Sequence, residues 1–281
     1  MDIHRHHFER CESTNNEANR WLKLNVNGRV AVFTAEDQFE GKGQRGSRWE
    51  QAPGLDLAWS MAIKWPKGTA AMAMKHENAW FLINKGVTLA ALATVQEALG
   101  ASPSNLCIKW PNDLFVQKQE IWKKCGGILI ENTWQGPSIV GTVIGIGINA
   151  LSSHLTGTRT SLAEVTGQGP QTEFQPQFLA KQLEKNVLHA IHQWESSISD
   201  AAVILRQYQQ ELTSRFDGRL LGLCVWRVYR WKGVDRIGKI TGVDQSGRCL
   251  MHWQEGEPEN YIQAIDNNKQ LTWSWLNRQT T

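Results

Sequence analysis

The 281-residue sequence predicts an α+β fold, in which strands and helices mix over the first two-thirds and a small β-barrel follows. Three observations carry that prediction. Continuous apolar runs of strand length recur before residue 150. Two long stretches place apolar residues at helical spacing. After Gly218 the apolar runs become short and are broken by tight turns.

The elements follow in order. Residues 28–35 form an apolar run that reads as a strand. Residues 57–64 alternate like a strand. Residues 80–99 read as a helix, with Leu82, Leu89, Leu92 and Leu99 on one face and Gly100 as its stop. Residues 127–131 and 139–148 read as buried strands. Pro176 suits the first turn of a helix whose Leu179, Leu183, Val187 and Ile191 recur at steps of four. A further helix is expected from about Asp200 to Leu212. Beyond it, Lys232-Gly233, Asp244–Gly247 and Glu255-Gly256 are turns between short strands, as in a small barrel.

Composition narrows the function classes. Hydrophobic content of 41% and charged content of 20% describe an ordinary soluble globular protein. A net charge of +3 is too slight to argue for nucleic acid. Cys11, Cys107, Cys125, Cys224 and Cys249 are scattered without a C-x-x-C pair, so neither a zinc site nor a disulfide framework is expected. Free thiols fit a reducing cytosol, and the cytoplasm is the expected location. The first residues lack the apolar run of a signal peptide, and no stretch approaches a membrane span. The 14 tryptophans are expected to be mostly half-buried packing residues.

The chemistry starts in residues 40–49, Glu-Gly-Lys-Gly-Gln-Arg-Gly-Ser-Arg-Trp. Three glycines and three cations share this loop, a composition that suits an anion. It reads as G-x-G-x-x-G, but Pro53 and Gly54 leave no room for the helix that a dinucleotide-binding turn requires. No Gly-Lys-Ser/Thr closes a Walker loop, and a basic surface turn is the plain alternative. A second stretch, Lys109-Trp-Pro-Asn-Asp113, sets Asn112 and Asp113 on a turn stiffened by Pro111. Its plain alternative is an Asx turn. A third, Lys123-Lys-Cys-Gly-Gly-Ile-Leu-Ile-Glu131, sets lysines before two glycines at the mouth of a strand. It can aim an ammonium into a cleft, or the lysines can simply be solvated. A fourth, Gly145-Ile-Gly-Ile-Asn149, alternates glycine in a strand, where a ligand or another backbone approaches closely.

Together and in this order, with Ser13-Thr14-Asn15 ahead of them, these stretches resemble the catalytic domain of biotin–protein ligases, from about residue 8 to residue 275. The resemblance implies a mixed sheet with flanking helices over residues 1–215 and an SH3-like β-barrel over 216–281. It implies formation of biotinyl-5′-AMP from biotin and ATP with Mg2+, then transfer of biotin to a lysine of a biotin carboxyl carrier domain, as of acetyl-CoA carboxylase. By the same resemblance Ser13, Thr14 and Gln38 hold the head of biotin, and Asn15 and Gly127 belong to the same binding set. Gly41, Gly145 and Gly147 let the pocket close, and Trp49 forms its apolar wall. Lys42 and Arg45 lie on the phosphate side. Lys124 bridges the carboxylate and the α-phosphate, Asn149 contacts the nucleotide, and Asp113 orients or deprotonates the incoming lysine.

No metal-ligating residues are implied, nor a nucleic-acid or membrane partner, and the chain is expected as a monomer or homodimer. Gln44 stands where many members carry arginine, which implies a looser hold on the acyl-adenylate. The segment from Glu120 before Lys124 is expected to be longer than the usual tight turn, although register to the glycines favours Lys124 over Lys123. A lipoate–protein ligase would carry an Arg-Arg-x-x-Gly-Gly-Gly run, which is absent. A biotin-sensing repressor needs a DNA-binding domain ahead of Ser13, where little room is left. A non-catalytic biotin-binding protein would have no use for Lys124 and Asp113.

Overall fold

The computed structural model describes residues 2–24, 27–76, 79–100, 102–153, 155–167, 171–199, 202–254, 262–266, 271–273 and 276. Its larger sheet is built from β1 (Ile3–Cys11), β2 (Val30–Gln38), β3 (Leu57–Lys64), β4 (Leu106–Lys109), β5 (Asp113–Lys118), β6 (Ile121–Gln135) and β7 (Ser138–Ile148). Their order is β1-β2-β3-β7-β6-β5-β4. The β1–β2 pair is parallel and the other pairs are antiparallel, so the sheet is mixed as predicted.

Strand side chains alternate between faces, and the two faces of this sheet are covered differently. On one face Ala31, Phe33, Ala62 and Val143 pack under α1 (Thr14–Lys23). On the other, Val32, Leu57, Trp59, Met61, Ile63, Ile144, Ile146 and Ile148 join the main core. That core is completed by α2 (Lys67–Met74), α3 (Ala79–Leu99), α5 (Pro176–Ser199) and α6 (Ala202–Asp217), with α4 (Leu162–Thr166) a short connector. The predicted stripe of α5 is fully buried: Leu179, Leu183, Val187 and Ile191 are all core residues, continued by Trp194 and Ile198.

Two helix expectations are corrected. The sequence predicts one apolar face for α3, yet Ile83, Val87, Thr88, Ala91 and Thr94 are buried as well. The helix runs between α5 and α6 and is enclosed on most sides, so its pattern is nearly uniform rather than striped. The last helix runs on to Asp217, past the predicted Leu212, while Asp200 lies outside the described residues. The tryptophans are also more buried than expected. Trp21, Trp59, Trp65, Trp110, Trp194, Trp231, Trp253 and Trp273 are core residues. Trp65, Trp80 and Trp194 form a triangle with ring centroids 5.1–5.4 Å apart.

The second sheet is antiparallel, with strands β8 (Arg227–Trp231), β9 (Val234–Val243), β10 (Cys249–Trp253), β11 (Ile262–Ile265) and β12 (Leu271–Thr272). Their order is β11-β10-β9-β8-β12. The Lys232-Gly233 turn has φ 48° and 86° and closes a two-residue hairpin, the form that needs φ > 0 at both positions. At the next turn Asp244 accepts hydrogen bonds from the backbone N–H groups of Ser246 and Arg248. The predicted Glu255-Gly256 turn lies outside the described residues.

Trp110 and Lys85 are among the side chains that tie this sheet to the first unit. Trp110 donates to the Gly247 carbonyl at 2.9 Å. Lys85, 1% exposed, donates to Thr213 Oγ1 at 3.0 Å and to the Val243 carbonyl at 3.5 Å. Burial lowers the Lys85 pKa, and Asp217 and Asp244 oppose that shift.

Candidate active site

A cavity of about 320 Å³ opens on the α1 face of the larger sheet. Its floor is made by the strands that lack side chains there. A Cβ on Gly145 would lie 2.0 Å from Asn15 Oδ1, and one on Gly147 would lie 2.3 Å from the Trp49 ring. Glycine at these positions therefore allows α1 and the basic loop to approach the strand. Ser13, Thr14, Asn15, Gln38, Lys42, Arg45, Trp49, Asp113, Lys124, Gly127, Gly145 and Gly147 all line the cavity.

Two site residues expected from the sequence do not line it. Gly41 stands behind the loop, where a Cβ would meet the Trp49 carbonyl at 2.4 Å. Asn149 is 4% exposed and donates its amide to the Thr160 carbonyl at 3.1 Å. That bond helps hold the 158–160 segment against the end of β7.

The basic loop is a pinched hairpin. Lys42 bridges Arg48, Trp49 N–H donates to Gly41 O, and Gly43 N–H donates to Ser47 O. The left-handed conformations fall on Arg45 (φ 56°) and Gly46 (φ 79°). Gly43 is extended at φ −115°. The glycines at 41 and 43 are thus needed for close approach rather than for positive φ, because a Cβ on Gly43 would lie 2.4 Å from Ser47 Oγ. From the tip, Arg45 reaches the Asp266 carbonyl beside the second sheet. Gln44 Oε1 and Trp49 Nε1, both of residues at the cavity, are buried without a hydrogen-bond partner. An orphaned acceptor and an orphaned donor at one cavity are what a polar ligand would satisfy.

The opposite wall carries the charges. Lys124 Nζ lies 2.6 Å from Asp113 Oδ1 and 5.4 Å from the centre of the Trp49 ring. A β-bulge aims it there. Leu114 pairs with Gly126 and Phe115 pairs with Lys124, so Cys125 is an extra residue in β6. The bulge swings Lys124 onto the face of Gly127 and Asp113, while its backbone pairs with Thr158 and Thr160. Residues 121–123, expected as part of a longer connection, are strand. The turn before them is only Gln119-Glu120, with φ 49° and 66°.

Asp113 is bonded across strands rather than in an Asx turn. Asn112 is stitched to Ile128 in both directions, fixing the bend after the cis Trp110–Pro111 peptide. Lys109, not singled out from the sequence, sits 3.8 Å from the second oxygen of Asp113 and 4.9 Å from the centre of the Trp273 ring. Burial lowers its pKa, while Asp113 opposes that shift.

The polar end is a network. Gln38 Oε1 accepts from the Thr14 N–H at 2.7 Å and its hydroxyl at 3.0 Å, so it caps α1 in place of the Ser13 side chain. Ser60 donates to both Thr14 and Asn15, and Asn15 donates to Glu131 at 2.8 Å. Gln51 receives a bond from Gln38 and donates to the carbonyls of Ala35, Glu36 and Asp56. Ser60, Glu131 and Gln51 were not found from the sequence. Only their position opposite the glycine strands or beyond the basic loop distinguishes them. Among the described residues no cluster of three His, Cys, Asp or Glu side chains could hold a metal ion. Nor is any described helix long and apolar enough to cross a membrane.

Comparison with known proteins fits this geometry. The model of the Biotin/lipoate A/B protein ligase family matches residues 7–149. A biotin–[acetyl-CoA-carboxylase] ligase of Paracoccus denitrificans is 32% identical over 145 residues, covering 50% of this chain and 52% of that one. The bifunctional ligase/repressor BirA of Escherichia coli K12 is 29% identical over 229 residues, covering 79% of this chain and 64% of that one. The match therefore spans about half of the first relative and somewhat less than two-thirds of the second. In fold, the chain resembles the Aquifex aeolicus biotin protein ligase solved with biotin and ATP. The TM-score is 0.67 at 19% identity, over 96% of this chain and 97% of that one.

Proposed function

The chain belongs to the Biotin/lipoate A/B protein ligase family, and from that premise we propose that it is an ATP-dependent biotin–protein ligase. The observation that carries the reading is the Lys124–Asp113 pair, 2.6 Å apart, facing Trp49 across a glycine-floored cavity. In the first step a carboxylate oxygen of biotin attacks the α-phosphorus of ATP and pyrophosphate leaves. Two anions must meet, so the site has to supply positive charge. Lys124 exchanges Asp113 for the biotin carboxylate and the α-phosphate, with Lys42 and Arg45 on the phosphate side. Asp113 keeps Lys109 as its counter-cation.

In the second step the amine of a carrier-domain lysine attacks the acyl carbon and AMP leaves. Asp113, released from Lys124, orients that amine and accepts its proton. Ser13, Thr14, Asn15 and Gln38 bind the polar head of biotin, and Trp49 with the glycine floor holds its body. Gln44, being uncharged, gives the acyl-adenylate one cation fewer than arginine would. Magnesium is assigned to the phosphates of ATP. The described residues offer no acidic cluster of their own to bind it.

The acceptor is a biotin carboxyl carrier domain, as in acetyl-CoA carboxylase. Five free cysteines, four of them buried, suit a reducing compartment such as the cytoplasm. We place the division between the ligase unit and the C-terminal unit at residues 215 and 216, beside the end of α6 at Asp217.

Calorimetry with biotin and with lipoate, each followed by ATP, tests the assignment. Heat with biotin alone, and tighter binding once ATP is added, is expected. Binding of lipoate in preference to biotin would overturn it.

A further inference from the structure

Asp113 faces two cations, one at each carboxylate oxygen. Lys124 Nζ lies 2.6 Å from Oδ1, and Lys109 Nζ lies 3.8 Å from Oδ2. The two lysines are held differently. Lys124 lines the cavity and faces Trp49. Lys109 does not line it. It stands directly opposite Asp113 in the β4–β5 pair, so both side chains leave the sheet on one face.

Aromatic rings box the Lys109 ammonium. It lies 5.8 Å from the centre of the Phe115 ring and 4.9 Å from that of Trp273. Trp273 follows β12 in the second unit and is 3% exposed. Its ring packs edge-on against Tyr229 at 5.8 Å, and Tyr229 is fully buried. One wall of the Lys109 pocket is thus supplied by the C-terminal unit and fixed by that unit's core.

Given the ligase reading, this arrangement divides the work of the two lysines. We propose that Lys109 is a positioning residue for the transfer step: it holds the Asp113 carboxylate by Oδ2 after Lys124 has turned to the ligand, and Trp273 of the C-terminal unit acts on that step through Lys109. Oδ1, vacated by Lys124, is then free for the incoming amine. The amine nitrogen bonds to the acyl carbon, the bond to AMP breaks, and the amine proton passes to Oδ1. In adenylation Asp113 only has to release Lys124. Loss of Lys109 makes that release harder, so both steps slow, but transfer slows more because it uses the carboxylate itself.

Two rates separate the steps. Biotin-dependent exchange of labelled pyrophosphate into ATP reads the first. Single-turnover transfer from preformed biotinyl-5′-AMP to the carrier domain of acetyl-CoA carboxylase reads the second. Thermal melts give the folded fraction, so each rate is taken per folded molecule. Lys109→Met should slow transfer at saturating carrier roughly 10- to 100-fold, a larger factor than its effect on exchange. The carrier concentration at half-maximal rate should stay the same, because Lys109 does not touch the carrier. Lys109→Arg, which keeps the charge, should transfer several-fold faster than Lys109→Met. Trp273→Leu should slow transfer roughly two- to fivefold. The double variant should be no slower than Lys109→Met alone, since Trp273 acts through Lys109.

Equal losses of exchange and transfer overturn the proposal. So does an arginine variant as slow as the methionine one, or an effect confined to the carrier concentration at half-maximal rate. Additive losses in the double variant overturn the route from Trp273. A wild type with no exchange would instead sink the ligase reading, so the two failures are told apart.

Discussion

The two faces of β3 and β7 are made by neighbouring residues and do opposite work. On the α3/α5 face, Leu57, Trp59, Met61, Ile63, Ile144, Ile146 and Ile148 are large, apolar and buried. On the α1 face, the intervening residues Ala58, Ser60, Gly145 and Gly147 are small. The first face holds the fold together by volume and buried area. The second leaves a hollow and gives up packing there, so that Asn15 and Trp49 can close over it. Stability and the site are thus separated by the pleat, one residue apart along the same strand.

That separation can be tested residue by residue. Met61→Ala, on the packed face, should cost about 2–5 kcal/mol of stability, read from denaturant midpoints, while activity per folded molecule stays the same. An equal loss of activity would mean that the faces are not independent. Gly147→Ala acts on the hollow face and should cost about 1–3 kcal/mol by forcing Trp49 away. Biotin affinity, measured by calorimetry, should fall at least about tenfold. Unchanged affinity would show that Trp49 does not depend on the bare strand. Ser60→Ala should cost only about 1 kcal/mol of stability but weaken biotin binding in the same titration, because Thr14 and Asn15 lose a shared donor.

The smallest effect is expected away from both faces, at Lys85. Burial lowers its folded pKa below the unfolded value of 10.5. Between those two values the unfolded chain binds more protons, so stability rises with pH across that window. Lys85→Met should flatten that alkaline rise in a series of thermal melts. A rise that persists in the variant would assign it to another group.

Much of the packed face was legible in the sequence, because its signals are local. The steps of four in α5 and the apolar runs of β3 and β7 depend only on their own residues. The geometry of the site was less legible, because it depends on pairing between distant segments. The bulge at Cys125 exists only relative to β5, and it decides that Lys124 rather than Lys123 faces Asp113. The positive φ at Arg45 follows from the closure of a hairpin, which the glycine spacing does not reveal. Lys109 and Gln51 act through cross-strand and side-chain-to-backbone bonds that leave no periodic trace. The bond from the Asn149 amide to the Thr160 carbonyl is likewise a link between segments that the sequence pattern does not reveal.

The central claim is that Lys124 supplies the charge that lets a carboxylate meet a nucleotide. Biotin-dependent exchange of labelled pyrophosphate into ATP, compared between the wild type and Lys124→Ala, tests it most directly. Exchange is expected in the wild type, with a loss of about 10²–10³-fold in the variant and biotin still bound. Exchange that is absent from the wild type, or undiminished in the variant, would contradict it.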